Sequence, residues 1–408
     1  MKHPNRILLL AGILLVATTL RAPFTIIAPL LEDIQKGYAL GAGQVGLLIT
    51  GPLLAFAVVS PFAAGLARRW GLERTLFGAL AVVAAGVLLR AGGAAPALYA
   101  GTVLIGAGIA LGNVLLPSLL KREFPDRVTA LTAMYVLTMG IAAAIGSALV
   151  IPLKEALHAD WHPVSRLPLV LVALAALAWL PQVLRAGAGA ANAAAPAGAG
   201  AQADVWRSPL AWQVTAYLGL DCFLYYVGVS WLPAILRDAG HTHAQAASLH
   251  GVLLLATALP GLVLIPLVPR LRDQRAPAAT LALCMVAGLL GLAVAPAHAL
   301  AWIVFFGVGA GGGLILALAL ISLRTRDAGD AAALSGMAQC VGYLFAAAGP
   351  PLVGKASAAA GNWQGPLAVC AALGVAMTAV GLFAGRDLQV GRAAPARRLA
   401  SGAVRSGA

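Results

Sequence analysis

The sequence predicts an all-α membrane protein of twelve transmembrane helices arranged as two six-helix pseudo-symmetric halves. Three observations lead there. Of the 408 residues, 61% are hydrophobic and only 10% charged, whereas soluble domains are roughly a quarter charged. Apolar runs recur along the chain, each long enough to cross a hydrocarbon core of roughly 30 Å at about 1.5 Å per residue. Residues 186–205, almost wholly Ala, Gly, Asn and Pro, divide those runs into two sets of six. A transmembrane barrel would show strands of about ten residues alternating apolar and polar, and no such alternation occurs.

In chain order the spans are expected at 7–31, 44–67, 74–93, 97–120, 128–153 and 164–184 in the first half. In the second half they fall at 209–235, 246–269, 276–295, 299–322, 331–354 and 363–385. The resulting organisation is residues 1–185 as the first half, 186–208 as a flexible cytoplasmic linker, 209–385 as the second half and 386–408 as a disordered basic tail. The linker has too little apolar bulk to form a core. The start is basic, but no small-residue cleavage site follows the first run, so it reads as a first span rather than a removed signal. The halves echo one another: ARRWGLER at 67–74 joins spans two and three, and PRLRDQR at 269–275 joins spans eight and nine.

The formal charge of +13 is read as topology. Placing both termini in the cytoplasm assigns 20 of the 27 Lys and Arg residues to the inside and 6, Arg90 among them, to the outside, with Arg21 left within the membrane. That asymmetry obeys the rule that basic residues stay on the cytoplasmic side and supports an even number of spans. Nucleic acid is excluded as a partner because no soluble domain carries basic clusters interleaved with aromatics. Lipid is an expected partner, the basic tail lying near anionic headgroups, and the chain is expected to act as a monomer. Cys222, Cys284, Cys340 and Cys370 all fall inside apolar runs, where they act as small hydrophobes rather than as a disulfide framework.

Two charges lie deep in the apolar runs. Arg21 stands well inside the first, where an ionised side chain costs a few kcal/mol and is retained mainly when it faces a bundle interior or a watery cavity. Its planar fork of donors suits carboxylate-like and other small anionic groups. Asp221 stands at similar depth in the seventh span, within YLGLDCFLYY at 217–226. The first helix of each half faces the other across a cavity, so two roles are open for Asp221: an ion pair with Arg21 that substrate opens, or the group that carries a coupling proton. A locked structural pair is the bland alternative. Asn113 and Gln339 are amides needing partners in hydrocarbon, suited to binding or to joining helices. Tyr225 and Tyr226 are placed to line the cavity, while Trp231 serves equally as an interfacial anchor. The glycines Gly106, Gly108 and Gly112 of the fourth span, and Gly307, Gly309, Gly311, Gly312 and Gly313 of the tenth, read as close helix packing. His158, His162, His241 and His243 sit in outer loops and are read as solvated rather than as metal ligands. No metal, cofactor, nucleotide-binding loop or catalytic carboxylate pair is found, so the chain is not read as an enzyme.

The run GNVLLPSLLKREFPDRV at 112–128 resembles the fourth-to-fifth span signature of the cyanate and nitroimidazole transporter family (CynX-type) of the major facilitator superfamily. Arg21, WLP at 231–233 and SGMAQ at 335–339 extend that resemblance over nearly the whole chain. It implies the major facilitator fold, with halves related by an axis along the membrane normal and a site between them. It further implies proton-linked or facilitative movement of small polar or anionic solutes, with Arg21 facing substrate, Asn113 and Gln339 as polar neighbours, and Arg68, Arg69 and Arg74 in the gating loop. Two departures stand out: Asp221 where a neutral amide is expected, and Ala67 where the superfamily's loop carries an aspartate.

The reading is therefore an alternating-access transporter, proton symport being the expected coupling, for cyanate-like ions, nitro-compounds or small organic acids. A proton-driven exporter of toxic compounds on the same fold is the alternative, and a membrane sensor that binds without translocating is a third class.

Overall fold

The computed structural model describes residues 6–40, 42–189 and 205–390, and among them there is no strand. Twelve principal helices follow one another in the described residues. The first six are α1 (Arg6–Thr19), α2 (Ala42–Trp70), α3 (Leu72–Arg90), α4 (Ala95–Glu123), α5 (Val128–Ala156) and α6 (Pro168–Gly189). The last six are α7 (Pro209–Asp238), α8 (His243–Ala256), α9 (Arg275–Val294), α10 (Ala299–Leu323), α11 (Ala328–Ala360) and α12 (Gln364–Ala384). Eleven helical segments among the described residues are long and apolar enough to cross a membrane. The eighth expected span is apolar but falls short of one continuous helix, because it is split into α8 and a second piece, Leu259–Leu267.

Two of the expected spans are thus broken, and the cause is local. The first, expected as one run over 7–31, stops at Thr19 and turns through Leu20 and Arg21 into a short helical piece, Ala22–Thr25. Pro23 lies in that piece, and a proline has no N–H to continue the helical ladder back across the turn. The eighth breaks at Thr257 and Ala258, and Pro260 follows at once. Its entry is well defined, since the Thr242 hydroxyl accepts from the Gln245 N–H while Gln245 Oε1 accepts from the Thr242 N–H, a reciprocal cap. At the break, an added Cβ on Gly311 of α10 would run into the Thr257 carbonyl. Only glycine lets the broken turn approach the α10 backbone so closely.

The two sets of six helices meet at the end where α2 joins α3, α4 joins α5 and α10 joins α11. There α11 packs along α2 and α4, and α5 packs against α10 and Leu259–Leu267. Buried serines tie the seam: Ser118 of α4 donates to the Ala328 carbonyl at 2.6 Å, and Ser322 of α10 donates to the Pro117 carbonyl at 3.2 Å.

Each set has a clamp at that same end. In the first, Arg122 pairs with Glu73 at the start of α3, whose carbonyl also accepts from Trp179 Nε1 on α6 at 3.0 Å. In the second, Arg324 donates to the Gln274 side chain and to the carbonyls of Ala384 at 3.1 Å and Gly385 at 3.0 Å. Burial pushes the Arg324 guanidinium down to about 10. The same knot holds the described part of the expected tail. Val390 is buried, and its N–H donates to the Arg324 carbonyl at 2.8 Å. Of the expected linker, residues 186–189 finish α6 and 205–208 lead into α7 with Val205 buried; residues 190–204 and 391–408 lie outside the described residues.

Candidate functional site

The broken turns of α1 and α8 both open on one cavity of about 70 Å³ in the middle of the bundle, which Arg21, Asn113, Asp221, Tyr225, Thr257 and Tyr343 help to line. Arg21 reaches it because the helix stops just before it, so its side chain leaves from a turn instead of running along the flank of α1. The guanidinium donates to the Tyr225 hydroxyl and lies 5.4 Å from the centre of that ring. A cation over an aromatic face is stabilised by the ring quadrupole, more strongly where water is excluded. Tyr225 and Tyr226 meet edge to face with centroids 5.2 Å apart. Across the cavity Phe56 of α2 and Tyr343 of α11 are 4.8 Å apart. The chamber therefore offers one fixed cation surrounded by aromatic surface, a setting for a small, flat, electron-rich or anionic group.

Asp221 belongs to the same chamber but not to the same bond. Its side chain is 1% exposed and Oδ1 has no hydrogen-bond partner; it presses on α10 where an added Cβ on Gly313 would meet it. The expected ion pair with Arg21 is not formed in this conformation. Tyr225, one turn further along α7, takes the guanidinium instead, while Asp221 turns toward the glycine run of α10.

The other expected site residues separate into two groups. Asn113 is half-buried on the cavity wall. Gln339 is not on that wall: it is 1% exposed, and its Nε2 donates to Ser335 Oγ at 2.8 Å one turn back on α11. Trp231 lies away from the cavity, donating to the Pro350 carbonyl at 2.8 Å beside Trp363. Arg68, Arg69 and Arg74 are exposed at the α2–α3 turn, with Arg69 6.0 Å from the Trp70 ring. With Ala67 in place of an aspartate, the acid of that turn is Glu73, paired with Arg122. His162 stacks on Trp161 at 3.9 Å, and the described residues hold no group of three or more metal-ligating side chains.

Arg90 is placed differently from its expected outer-loop position: it is 1% exposed at the end of α3 and donates to the Pro23 carbonyl at 2.8 Å. The sequence signal existed, since Arg90 falls inside the run expected as the third span. Phe56, Tyr343 and Thr257 were also not anticipated; as ordinary apolar or hydroxyl side chains in apolar runs they carry no mark of facing a cavity. The broken helices were signalled by Pro23 and Pro260.

A cavity between two six-helix sets, lined from helices of both and reached by broken helices, defines the class of secondary transporters. The chain belongs to the Major Facilitator Superfamily, whose family pattern it matches over residues 13–347. It is 51% identical over 388 residues to the 2-nitroimidazole transporter of Escherichia coli (strain K12), a match covering 95% of this chain and 97% of that one. The cyanate transport protein CynX of the same organism is 23% identical over 87% of this chain and 91% of its own. Among solved structures, the proton:xylose symporter XylE superposes with a TM-score of 0.76 at 13% identity, covering 91% of this chain and 94% of that one, a likeness of fold. The chain is thus a multi-pass membrane transporter of the nitroimidazole and cyanate type, not an enzyme.

Proposed function

We propose that this protein moves a small, flat, anionic or polar solute, such as a nitro-compound, a cyanate-like ion or a small organic acid, across a bacterial inner membrane by alternating access. The observation that carries the reading is Arg21, held by Tyr225 at the wall of an aromatic chamber between the two helix sets. The guanidinium supplies charge and paired donors, the aromatic rings supply flat apolar faces, and Asn113 supplies an amide to the solute's remaining polar edge. The name of the 51% identical relative, a 2-nitroimidazole transporter, supports a flat nitro-compound as the first solute to try.

Proton coupling is assigned to Asp221. A buried carboxyl with no cation bonded to it and one oxygen unpartnered is suited to taking up and releasing a proton as the cavity opens to water on either side. In this reading residues 1–185 and 209–385 rock about the cavity, both termini are cytoplasmic and the protein works as a monomer. The aromatic lining and membrane-embedded acid also favour the second reading, a proton-driven exporter of toxic compounds.

The test is uptake into proteoliposomes of 2-nitroimidazole, cyanate, nitrate and simple carboxylates, with and without an inward proton gradient. One member of the panel is expected to move, Arg21→Ala to stop it, and Asp221→Asn to remove only the response to the gradient. If Arg21→Ala and Asp221→Asn both transport like the wild type, the assignment fails. Solute driven out against the inward proton gradient would favour the exporter.

A further inference from the structure

We propose that Arg90 is the positioning residue for Arg21: from α3 it holds the broken turn of α1 at the height and rotation that aim Arg21 at Tyr225. Beyond the break, the backbone carbonyls lack the N–H donors that a continuing helix supplies, and in a bilayer interior every such group needs another partner. Two side chains provide them. Arg90 Nη1 donates to the Pro23 carbonyl at 2.8 Å, and Ser147 of α5 donates to the Thr25 carbonyl at 3.2 Å.

Arg90 is an unusual choice for that task, and this points to a specific role. It is 1% exposed, and its Nε and Nη2 have no hydrogen-bond partner. A buried charge without a counter-ion is strongly disfavoured, so packing alone would favour an apolar side chain of the same size. Among the described residues, the one hydrogen bond its side chain makes is to a carbonyl two residues from Arg21. Its own backbone cannot drift, because α3 and α4 lie so close there that an added Cβ on Gly101 would strike the Arg90 N–H and the Gly86 carbonyl. A rigid helix, a fixed guanidinium and a free carbonyl thus define where the α1 turn sits. A Leu or Met at this place would fill the space but leave the turn free to rotate.

The placement stands on geometry alone; its consequence for transport rests on the proposed role of Arg21 in holding solute. The test incorporates 3-fluorotyrosine at position 225 of the full-length chain in lipid nanodiscs and records its fluorine resonance, which needs no solute. Arg21→Ala marks the resonance with the Tyr225 bond lost. Arg90→Met is expected to move the resonance toward that position while melting no lower than the wild type, and Arg90→Lys, which keeps a donor, to leave it near the wild-type value. Arg90→Leu is carried as a second apolar variant, and the resonance is read in whichever of the two elutes as monodisperse protein. A resonance unmoved in the apolar variant overturns the proposal. Where a solute is transported, Arg90→Met raises its KM roughly tenfold, equivalent to about 1.4 kcal/mol, with Lys restoring it. A panel in which no solute moves defeats the transport reading and leaves the resonance to decide this one.

Discussion

Ser118 and Ser322 occupy matching places near the ends of α4 and α10, in PSLLKRE at 117–123 and ISLRTRD at 321–327, and each reaches into the other six-helix set. Ser118 donates to Ala328 at the start of α11, and Ser322 donates to Pro117 on α4. Both are buried. The two bonds form a reciprocal latch across the seam, and any motion that opens this end of the bundle has to break both.

The latch predicts a graded response. A net hydrogen bond is worth about 1 kcal/mol, so Ser118→Ala and Ser322→Ala are each expected to shift the closed-to-open ratio at this end by roughly fivefold. The double variant is expected to shift it further. Spin labels at the exposed positions 127 and 326 report the change as a longer population in pulsed electron-electron distance measurements. Identical distributions in wild type and double variant would remove the latch from the mechanism.

Gly311 and Gly313 make a second prediction because they meet different things. A Cβ at Gly311 strikes the Thr257 backbone, which cannot swing aside, whereas a Cβ at Gly313 strikes the Asp221 carboxylate end, which can rotate. Overpacking a rigid contact costs about 1–3 kcal/mol or more. Gly311→Ala is therefore expected to lower the thermal midpoint more than Gly313→Ala, while Gly313→Ala disturbs gradient-driven transport more than stability.

The two clamps differ in the same measurable way. Arg122 and Glu73 are partly exposed, with side-chain exposures of 35% and 18%, and an exposed pair contributes about 0–1 kcal/mol. Arg324 is buried and satisfies Gln274 and two carbonyls, so removing it strands neutral buried acceptors at about 1–3 kcal/mol each. Arg324→Ala is expected to lower the melting temperature sharply and open residues 385–390 to protease, and Arg122→Ala to do neither.

Much of this architecture was legible in the sequence, because span length is a property of composition and spacing. Arg21 was legible for the same reason: a charge within an apolar run has few explanations. The helix breaks were written as Pro23 and Pro260, but a proline inside a membrane helix need not break it; Pro52, Pro61 and Pro117 lie within continuous helices here. Which side chain answers Arg21 could not be read, since Asp221 and Tyr225 are one turn apart on the same face and differ by a rotation of α7. Gln339 failed as a wall residue because Ser335, one turn back, offered a local partner.

Asn113 and Gln339 should therefore respond differently to truncation. Asn113 lines the cavity, and its loss in Asn113→Ala is expected to raise KM by roughly fivefold, the worth of one hydrogen bond. Gln339→Ala removes a bond to Ser335 away from the wall and is expected to leave KM unchanged. Concentration dependence of uptake for the two variants decides it.

The partner of Arg21 can be tested by double-mutant cycles read in thermal stability, which avoids variants that transport nothing. Residues sharing a bond show interaction energies of about 0.5–3 kcal/mol, whereas residues without shared partners add within about 0.3–0.5 kcal/mol. Because Arg21 donates to the Tyr225 hydroxyl and Asp221 leaves Oδ1 unpartnered, Arg21→Ala with Tyr225→Phe is expected to be non-additive. Arg21→Ala with Asp221→Asn is expected to be close to additive, without the mutual rescue that an ion pair would give. Rescue in the second cycle would mean that Arg21 exchanges Tyr225 for Asp221 in the conformation that dominates in the membrane, and Asp221 would then be the residue that releases Arg21 to its solute.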